Sequence, residues 1–338
     1  MLFRSLFSGL RAVRRSLGLV AAVFVVNLAL AALLAVPLAG LLERDLGKTD
    51  SAANMLYGFD AAWWGQWNDA QSGWAKSFSP EILGIGLSFR NLDLLLRGEL
   101  PLGLFRSRPA AEDAAGAAGG TGPASRIDAV ILGISALYLL LQTLLLGGIL
   151  GVFRSEQGSW SVRGLIHGSG FYFARLLRVA LIALLVDYVI FGLNAPLARW
   201  ADARARDAVS ENAAMAWALG RHALLLLALL LVNMLSSLAK VIVVVEERTS
   251  AILAWLSALG FCAANLAKTV GHYLAIVLLG VLLLASWNAL DGRLHTTGYK
   301  TQLVALLLAQ GLVLGRIALR LSLFAGQIAL YRKQAASF

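Results

Sequence analysis

One cysteine in 338 residues, Cys262, leaves no partner for an intramolecular disulfide and no cluster for a Cys-based zinc site. Charge is as scarce. Only 14% of residues are Asp, Glu, Lys or Arg, against roughly a quarter in soluble domains. The four histidines, His167, His222, His272 and His295, are scattered, with no H-E-x-x-H and no paired ligand spacing. A P-loop, a dinucleotide fingerprint and a G-x-S-x-G elbow are missing too, so no local motif marks an enzyme and no cofactor is expected.

What is there is apolar. Hydrophobic residues make up 59% and mean hydropathy is +0.74, which excludes a purely soluble fold. A helix needs about 20 mainly apolar residues to cross roughly 30 Å of hydrocarbon, where unpaired backbone groups find no partner. Six stretches qualify, approximately Leu17–Leu42, Ile127–Phe153, Phe173–Leu197, His222–Val245, Gly271–Leu290 and Thr301–Leu323. The chain therefore reads as an all-α integral membrane protein of six transmembrane helices with added interfacial amphipathic helices. The first run holds 26 residues behind Arg4, Arg11, Arg14 and Arg15. A secretory h-region spans about 7 to 15, so an uncleaved span is expected.

The basic residues set orientation. With the N-terminus inside, 15 Lys and Arg fall in inner segments and 6 in short outer loops, the other 8 lying in a long outer segment that the positive-inside rule discounts. Both termini are expected in the cytoplasm of a bacterial inner membrane. The net charge of +10 is then a topology signal, and nucleic acid is not an expected partner because the basic residues sit at span ends.

Three regions follow: 1–42 with the basic N-terminus and first span, 43–126 outside the membrane, and 127–338 with five spans and a short basic tail. The outer segment places Trp63, Trp67, Trp74 and Phe78 near one helical face with Trp64 beside them, a pattern suited to a helix at the headgroup level. An aromatic ligand platform is the alternative. A second helix is expected from Ser79-Pro80-Glu81 to about Arg97, where a cap, a Pro and an early carboxylate agree. Residues 106–126, rich in Ala, Gly, Pro and Ser, read as a flexible linker.

A shift of 90 residues aligns Glu156 with Glu246, Gly170 with Gly260, Phe171 with Phe261, Ala174 with Ala264 and Arg178 with Lys268. Each copy would be a span, a short cytoplasmic amphipathic helix and a second span, giving a parallel two-copy repeat. In the second copy Ser250, Ser257, Asn265 and Lys268 recur at roughly helical period, among Ile252, Trp255, Leu256, Leu259 and Phe261. In the first, Arg163, His167, Arg175 and Arg178 can meet anionic headgroups, so Arg163, Arg175, Arg178 and Lys268 are candidate lipid contacts. Topology anchoring is the plainer role for them.

This pattern of span, Gly-Phe-x-x-Ala helix and span, with an acidic residue ending the preceding span, resembles uncharacterised bacterial six-span membrane families. One of them is the membrane domain found beside some glycerophosphoryl diester phosphodiesterases. The resemblance covers about Ile127–Leu290 and implies a fold without hydrolysis, since the catalytic barrel with its metal-binding motifs is missing. The Trp-bearing outer segment departs from those families.

Asp187 lies mid-span in the third stretch, where an ionisable group costs at least about 2.5 kcal/mol and should meet protein or water. Arg316 and Arg320, one turn apart in the sixth, are its candidate partners. A proton or ion relay is one reading; a structural ion pair or a neutral Asp is the other. Asn27, Gln142, Asn233 and Gln310 read as interhelical glue, and Gly147 with Gly151 and Gly311 with Gly315 as close-approach positions. Two functions follow from these readings. The first is a non-enzymatic envelope assembly factor or accessory membrane subunit, held in the lipid bilayer and meeting a membrane or periplasmic protein through residues 59–97. The alternative is a small-solute or lipid transporter using Asp187 with Arg316 and Arg320.

Overall fold

The computed structural model describes residues 2–47, 49, 51, 60–77, 129–155, 160–291, 293 and 299–335. Among them the chain is all-α. The helices are α1 (Leu2–Arg15), α2 (Leu17–Leu46), α3 (Ala61–Ala70), α4 (Ala129–Arg154), α5 (Val162–Arg206), α6 (Glu211–Val245), α7 (Ala251–Ala264), α8 (Leu266–Asp291) and α9 (Tyr299–Ala335), with a short 3-10 helix at Gly73–Ser77. Six of them, α2, α4, α5, α6, α8 and α9, are long and apolar enough to cross a membrane, and the protein is a multi-pass membrane protein. The expected helix from Ser79 to Arg97, the linker 106–126, Phe78, Glu156 and His295 lie outside the described residues.

The chain forms two compact units. The first comprises residues 1–70, 136–180 and 234–338, and the second 71–135 and 181–233. In the first, α1 packs along α9 and also touches α8 and α2, while α9 packs on α8 and α2. Val13, Leu19, Val20, Val23, Ile149, Leu165, Ile317 and Leu321 form a buried apolar cluster that joins α1, α2, α4, α5 and α9. Helix contact in lipid lacks a hydrophobic driving force and relies on close packing and hydrogen bonds, and small residues supply the first. A Cβ added to Gly9 of α1 would meet the Ser322 carbonyl of α9, and one added to Gly148 of α4 would meet the Leu165 carbonyl of α5. The expected pair Gly147 and Gly151 lies at this second crossing, 2.9 Å from the Gly168 carbonyl and 3.6 Å from its Cα at the added-Cβ position. Gly315 faces the Leu283 side chain, whereas Gly311 has nothing within 4 Å. Hydrogen bonds supply the second: Gln142 Nε2 donates to Asn27 Oδ1 at 2.5 Å and Gln327 Nε2 to Ser237 Oγ at 2.8 Å.

Two expectations on local structure are corrected. The amphipathic stretch from Arg163 is not a separate helix in the first copy of the repeat. It runs unbroken into the third span as the 45-residue α5. The second copy does break, because Asn265 closes α7: its backbone N–H donates to the Phe261 and Cys262 carbonyls and its side-chain Nδ2 to Phe261 O at 3.4 Å. The aromatic helix is also shorter than its spacing implied. Asp60 caps α3, its Oδ1 accepting from Trp63 N at 3.0 Å, but α3 ends at Ala70. Gly73, at φ 64°, then opens the 3-10 helix that carries Trp74, so Trp74 is not on the helix of Trp63 and Trp67.

In the second unit, Ser210 Oγ accepts from Ala213 N at 3.3 Å and starts α6. Trp200 and Trp217 meet edge to face at 5.1 Å, and the Arg204 guanidinium lies 6.0 Å from the Trp200 ring.

Candidate functional site

The polar chemistry of the first unit gathers around the turn after α6, where Arg154 at the end of α4, Arg175 within α5, Arg248 before α7 and Arg332 near the end of α9 converge. Glu247, in the turn after α6, adopts φ 53°, a left-handed conformation uncommon for a residue with a side chain. Two arginines hold it there. Arg154 at the end of α4 pairs with its carboxylate, and Arg175 Nη1 of α5 donates to its carbonyl at 3.0 Å. Arg154 Nη1 also donates to Tyr172 Oη at 2.6 Å, and the Arg175 guanidinium sits 4.8 Å from the Phe171 ring. Glu246 pairs with Arg248 and accepts from the Tyr331 hydroxyl of α9. Arg248 Nη1 reaches Ser257 Oγ of α7 at 2.7 Å, and Arg332 Nη2 of α9 donates to the Arg154 carbonyl at 2.6 Å. With side chains 33% and 51% exposed, the Arg154–Glu247 pair is worth at most about 1 kcal/mol. The network fixes the mutual register of helix ends more than it adds stability.

A half-open cavity of about 250 Å³ adjoins this network. Arg15 and Ser16 border it from the α1–α2 junction, Val152, Phe153 and Ser155 from the end of α4, and Ala325, Ile328 and Arg332 from α9. A second cavity of about 190 Å³ shares Ser8 and Ala329 with the first and carries Lys268 and Lys333. Among the described residues, no carboxylate borders either one. Among the described residues, no group of three His, Cys, Asp or Glu side chains could hold a metal ion.

The four headgroup candidates separate. Lys268 borders the smaller cavity, its Nζ 3.1 Å from Gln334 Oε1. Arg175 is engaged at Glu247, while Arg163 and Arg178 are exposed on α5. Asp187 belongs to the second unit and is half-buried; Arg316 and Arg320 belong to the first and are exposed. Trp64 and Trp67 are 3% and 6% exposed, with Trp67 Nε1 donating to Asp45 Oδ2 at 3.0 Å, while Trp63 is half-buried and stacks on Trp67 at 5.9 Å. Trp74 is half-buried in the 3-10 helix of the second unit.

Sequence reasoning missed the cavity because its residues come from three distant parts of the chain. A signal was present in Ser5-x-x-x-Gly9 and Ser322-x-x-x-Gly326, two small-residue pairs that bring α1 against α9. His272 belongs to the same crossing. With its proton on Nε2 it donates to Leu323 O at 3.4 Å and accepts from Ser5 Oγ at Nδ1, 3.2 Å away. Burial pushes the Cys262 thiol of α7 up from its ordinary range, so it is a poor nucleophile. No family model, curated protein or solved structure matches the chain.

Proposed function

We propose that the chain is a non-enzymatic accessory subunit or assembly factor of a bacterial inner membrane, with both termini in the cytoplasm. One observation carries this reading: three pairs of polar side chains within the helices of the first unit join helix to helix. Asn27 with Gln142, Ser237 with Gln327, and Ser5 with His272 link α2 to α4, α6 to α9, and α1 to α8. Such contacts fix packing and do not by themselves provide a path for solute. Meanwhile α7 buries a small face, Ala251, Ala254, Ala258 and Cys262, and exposes Ile252, Leu253, Leu256 and Leu259, a surface suited to lipid or to another membrane protein. The orientation is supported by Arg154, Arg175 and Arg332 of this unit meeting in one network, which fits a common cytoplasmic side under the positive-inside rule.

The test is co-purification in mild detergent of wild type, Asp187→Asn and a deletion of residues 59–97, with bound proteins and lipids identified by mass spectrometry. A stoichiometric protein partner lost with the deletion is the expected result. A small molecule or lipid held by wild type and lost from folded Asp187→Asn, with no protein partner, would instead establish the transporter reading.

A further inference from the structure

Two helix pairs in the first unit share one build, and their difference leaves a polar group unused. Helices α1 and α7 each hold 14 residues, each is followed by a single non-helical residue, and each leads into a spanning helix. The breaks have nearly the same backbone, φ −121° and ψ 42° at Ser16, φ −128° and ψ 38° at Asn265. Asn265 directs its side chain to the Phe261 carbonyl. Ser16 is 4% exposed, makes no side-chain bond to the α2 amides it precedes, and borders the larger cavity.

That hydroxyl stands at the N-terminus of a 30-residue helix with no acidic residue in its first turn. The aligned peptide dipoles place partial positive charge there, and nearby negative charge is stabilised. Arg15 and Arg332 border the same space, with Arg332 committing one guanidinium nitrogen to the Arg154 carbonyl. The neighbouring hydroxyls do not compete as donors: Ser8 donates to the Ser5 carbonyl at 2.7 Å and Ser155 to the Val152 carbonyl at 2.8 Å. Lys268 and Lys333 in the adjoining cavity add further positive potential.

We infer that this cavity binds a phosphate-bearing anion, held by Ser16, Arg15 and Arg332 at the start of α2. Its volume is below the roughly 300–1,000 Å³ of sites for drug-sized ligands, so it accommodates a headgroup rather than a whole lipid. The apolar side chains of Val152, Phe153 and Ile328 beside the basic groups suit a molecule whose polar end continues into hydrocarbon. Basic residues at helix C-termini also offset the helix dipole, and Arg332 does so in part. That role requires neither a cavity nor an uncommitted hydroxyl at a helix start, which a ligand site does.

The test uses the full-length protein, delipidated in neutral detergent and titrated with phosphatidylglycerol, phosphatidylcholine and glycerol 3-phosphate, with binding followed by native mass spectrometry. Saturable binding of one phosphatidylglycerol is expected, stronger than that of phosphatidylcholine. Arg15→Gln with Arg332→Gln should weaken it roughly twenty-fivefold, taking each basic residue as about fivefold. Ala12→Leu, which fills the cavity without changing charge, should weaken it as well, and the charge-matched control Arg199→Gln with Arg206→Gln should not. Glycerol 3-phosphate displacing the lipid at comparable concentration would identify a soluble phosphomonoester as the source; failure to displace it would identify the lipid. The inference is overturned by the absence of saturable binding of either anionic probe, by equal losses in the control, or by an Ala12→Leu protein that binds like wild type. Should Arg332→Gln unfold by freeing the Arg154 carbonyl, Arg15→Gln and Ala12→Leu decide by the same criteria.

Discussion

One added methyl group should have opposite effects at two glycines. At Gly9 a Cβ would meet the Ser322 carbonyl and lie 3.2 Å from Gly326 N. Both neighbours are backbone atoms of α9, so no rotamer change relieves the contact and the helices must separate. Exchanging Gly for Ala inside a helix gains about 1 kcal/mol of propensity, while overpacking costs about 1–3 kcal/mol. His272 is bonded both to Ser5 of α1 and to the Leu323 carbonyl of α9, so separation also lengthens one of these bonds, for up to about 1 kcal/mol more. Gly9→Ala should therefore lose about 0–3 kcal/mol, centred on about 1.5 kcal/mol. Gly170 in α5 has nothing within 4 Å, so Gly170→Ala keeps the propensity gain of about 1 kcal/mol. The sole cysteine supplies the assay. Cys262 is 5% exposed with a thiol raised by burial, so a thiol-reactive fluorogenic dye in detergent reports unfolding. The melting midpoints should fall on opposite sides of wild type, each displaced by a few degrees. A Gly9→Ala protein as stable as Gly170→Ala would refute the close crossing of α1 and α9.

Two further outcomes follow from the polar contacts. Gln327 Oε1 is buried without a hydrogen-bond partner among the described residues, so Gln327→Leu removes an orphan along with a bond and should change stability by less than about 1 kcal/mol. Ser237→Ala leaves the Gln327 amide unmatched and should cost about 1–3 kcal/mol; dye melts that rank the two in the reverse order would contradict the assigned contact. A double-mutant cycle on Arg154→Gln and Glu247→Gln should give a coupling below about 1 kcal/mol that shrinks with added salt, since both side chains are substantially exposed.

The spans were legible because lipid imposes a length and a composition that a 20-residue run of Leu, Ala and Val declares by itself. Their ends were not. Helix α9 continues from the expected Leu323 to Ala335, and α6 begins at Glu211 rather than His222, because polar residues extend a helix past the hydrocarbon at no cost in backbone bonding. Glue residues were half legible. Asn27 and Gln142 stood out as polar groups in apolar runs, yet nothing local said that they meet each other across 115 positions. Ser5, Gly9, Ser322 and Gly326 carried less contrast, since small residues are common here and only packing distinguishes a contact from a gap. Arg15 and Arg332 were visible as charge and were read as topology. Their convergence on one cavity depends on α1 crossing α9, a tertiary fact.

The helix breaks bear on the internal repeat as well. A shift of 90 residues aligns Asn265 with Arg175, and α5 runs straight through Arg175. Arg is a good helix former, and its guanidinium reaches outward to the Glu247 carbonyl without disturbing the helix. Ser16 lies 249 positions before Asn265 and matches it in backbone dihedrals, in burial and in the 14-residue helix that precedes it. Both are short polar residues, the type whose side chains compete with helical hydrogen bonding and so mark helix boundaries. By local geometry α1–α2 is thus a closer counterpart of α7–α8 than α5 is, although the sequence similarity points to α5. The same break serves different ends because Asn265 reaches a carbonyl of its own helix, whereas the shorter Ser16 leaves its hydroxyl to the cavity. Replacing Ser16 by Asn would bring the self-contained break to the N-terminal pair, so phosphatidylglycerol binding should weaken in the same titration while α1, the break and α2 keep their backbone.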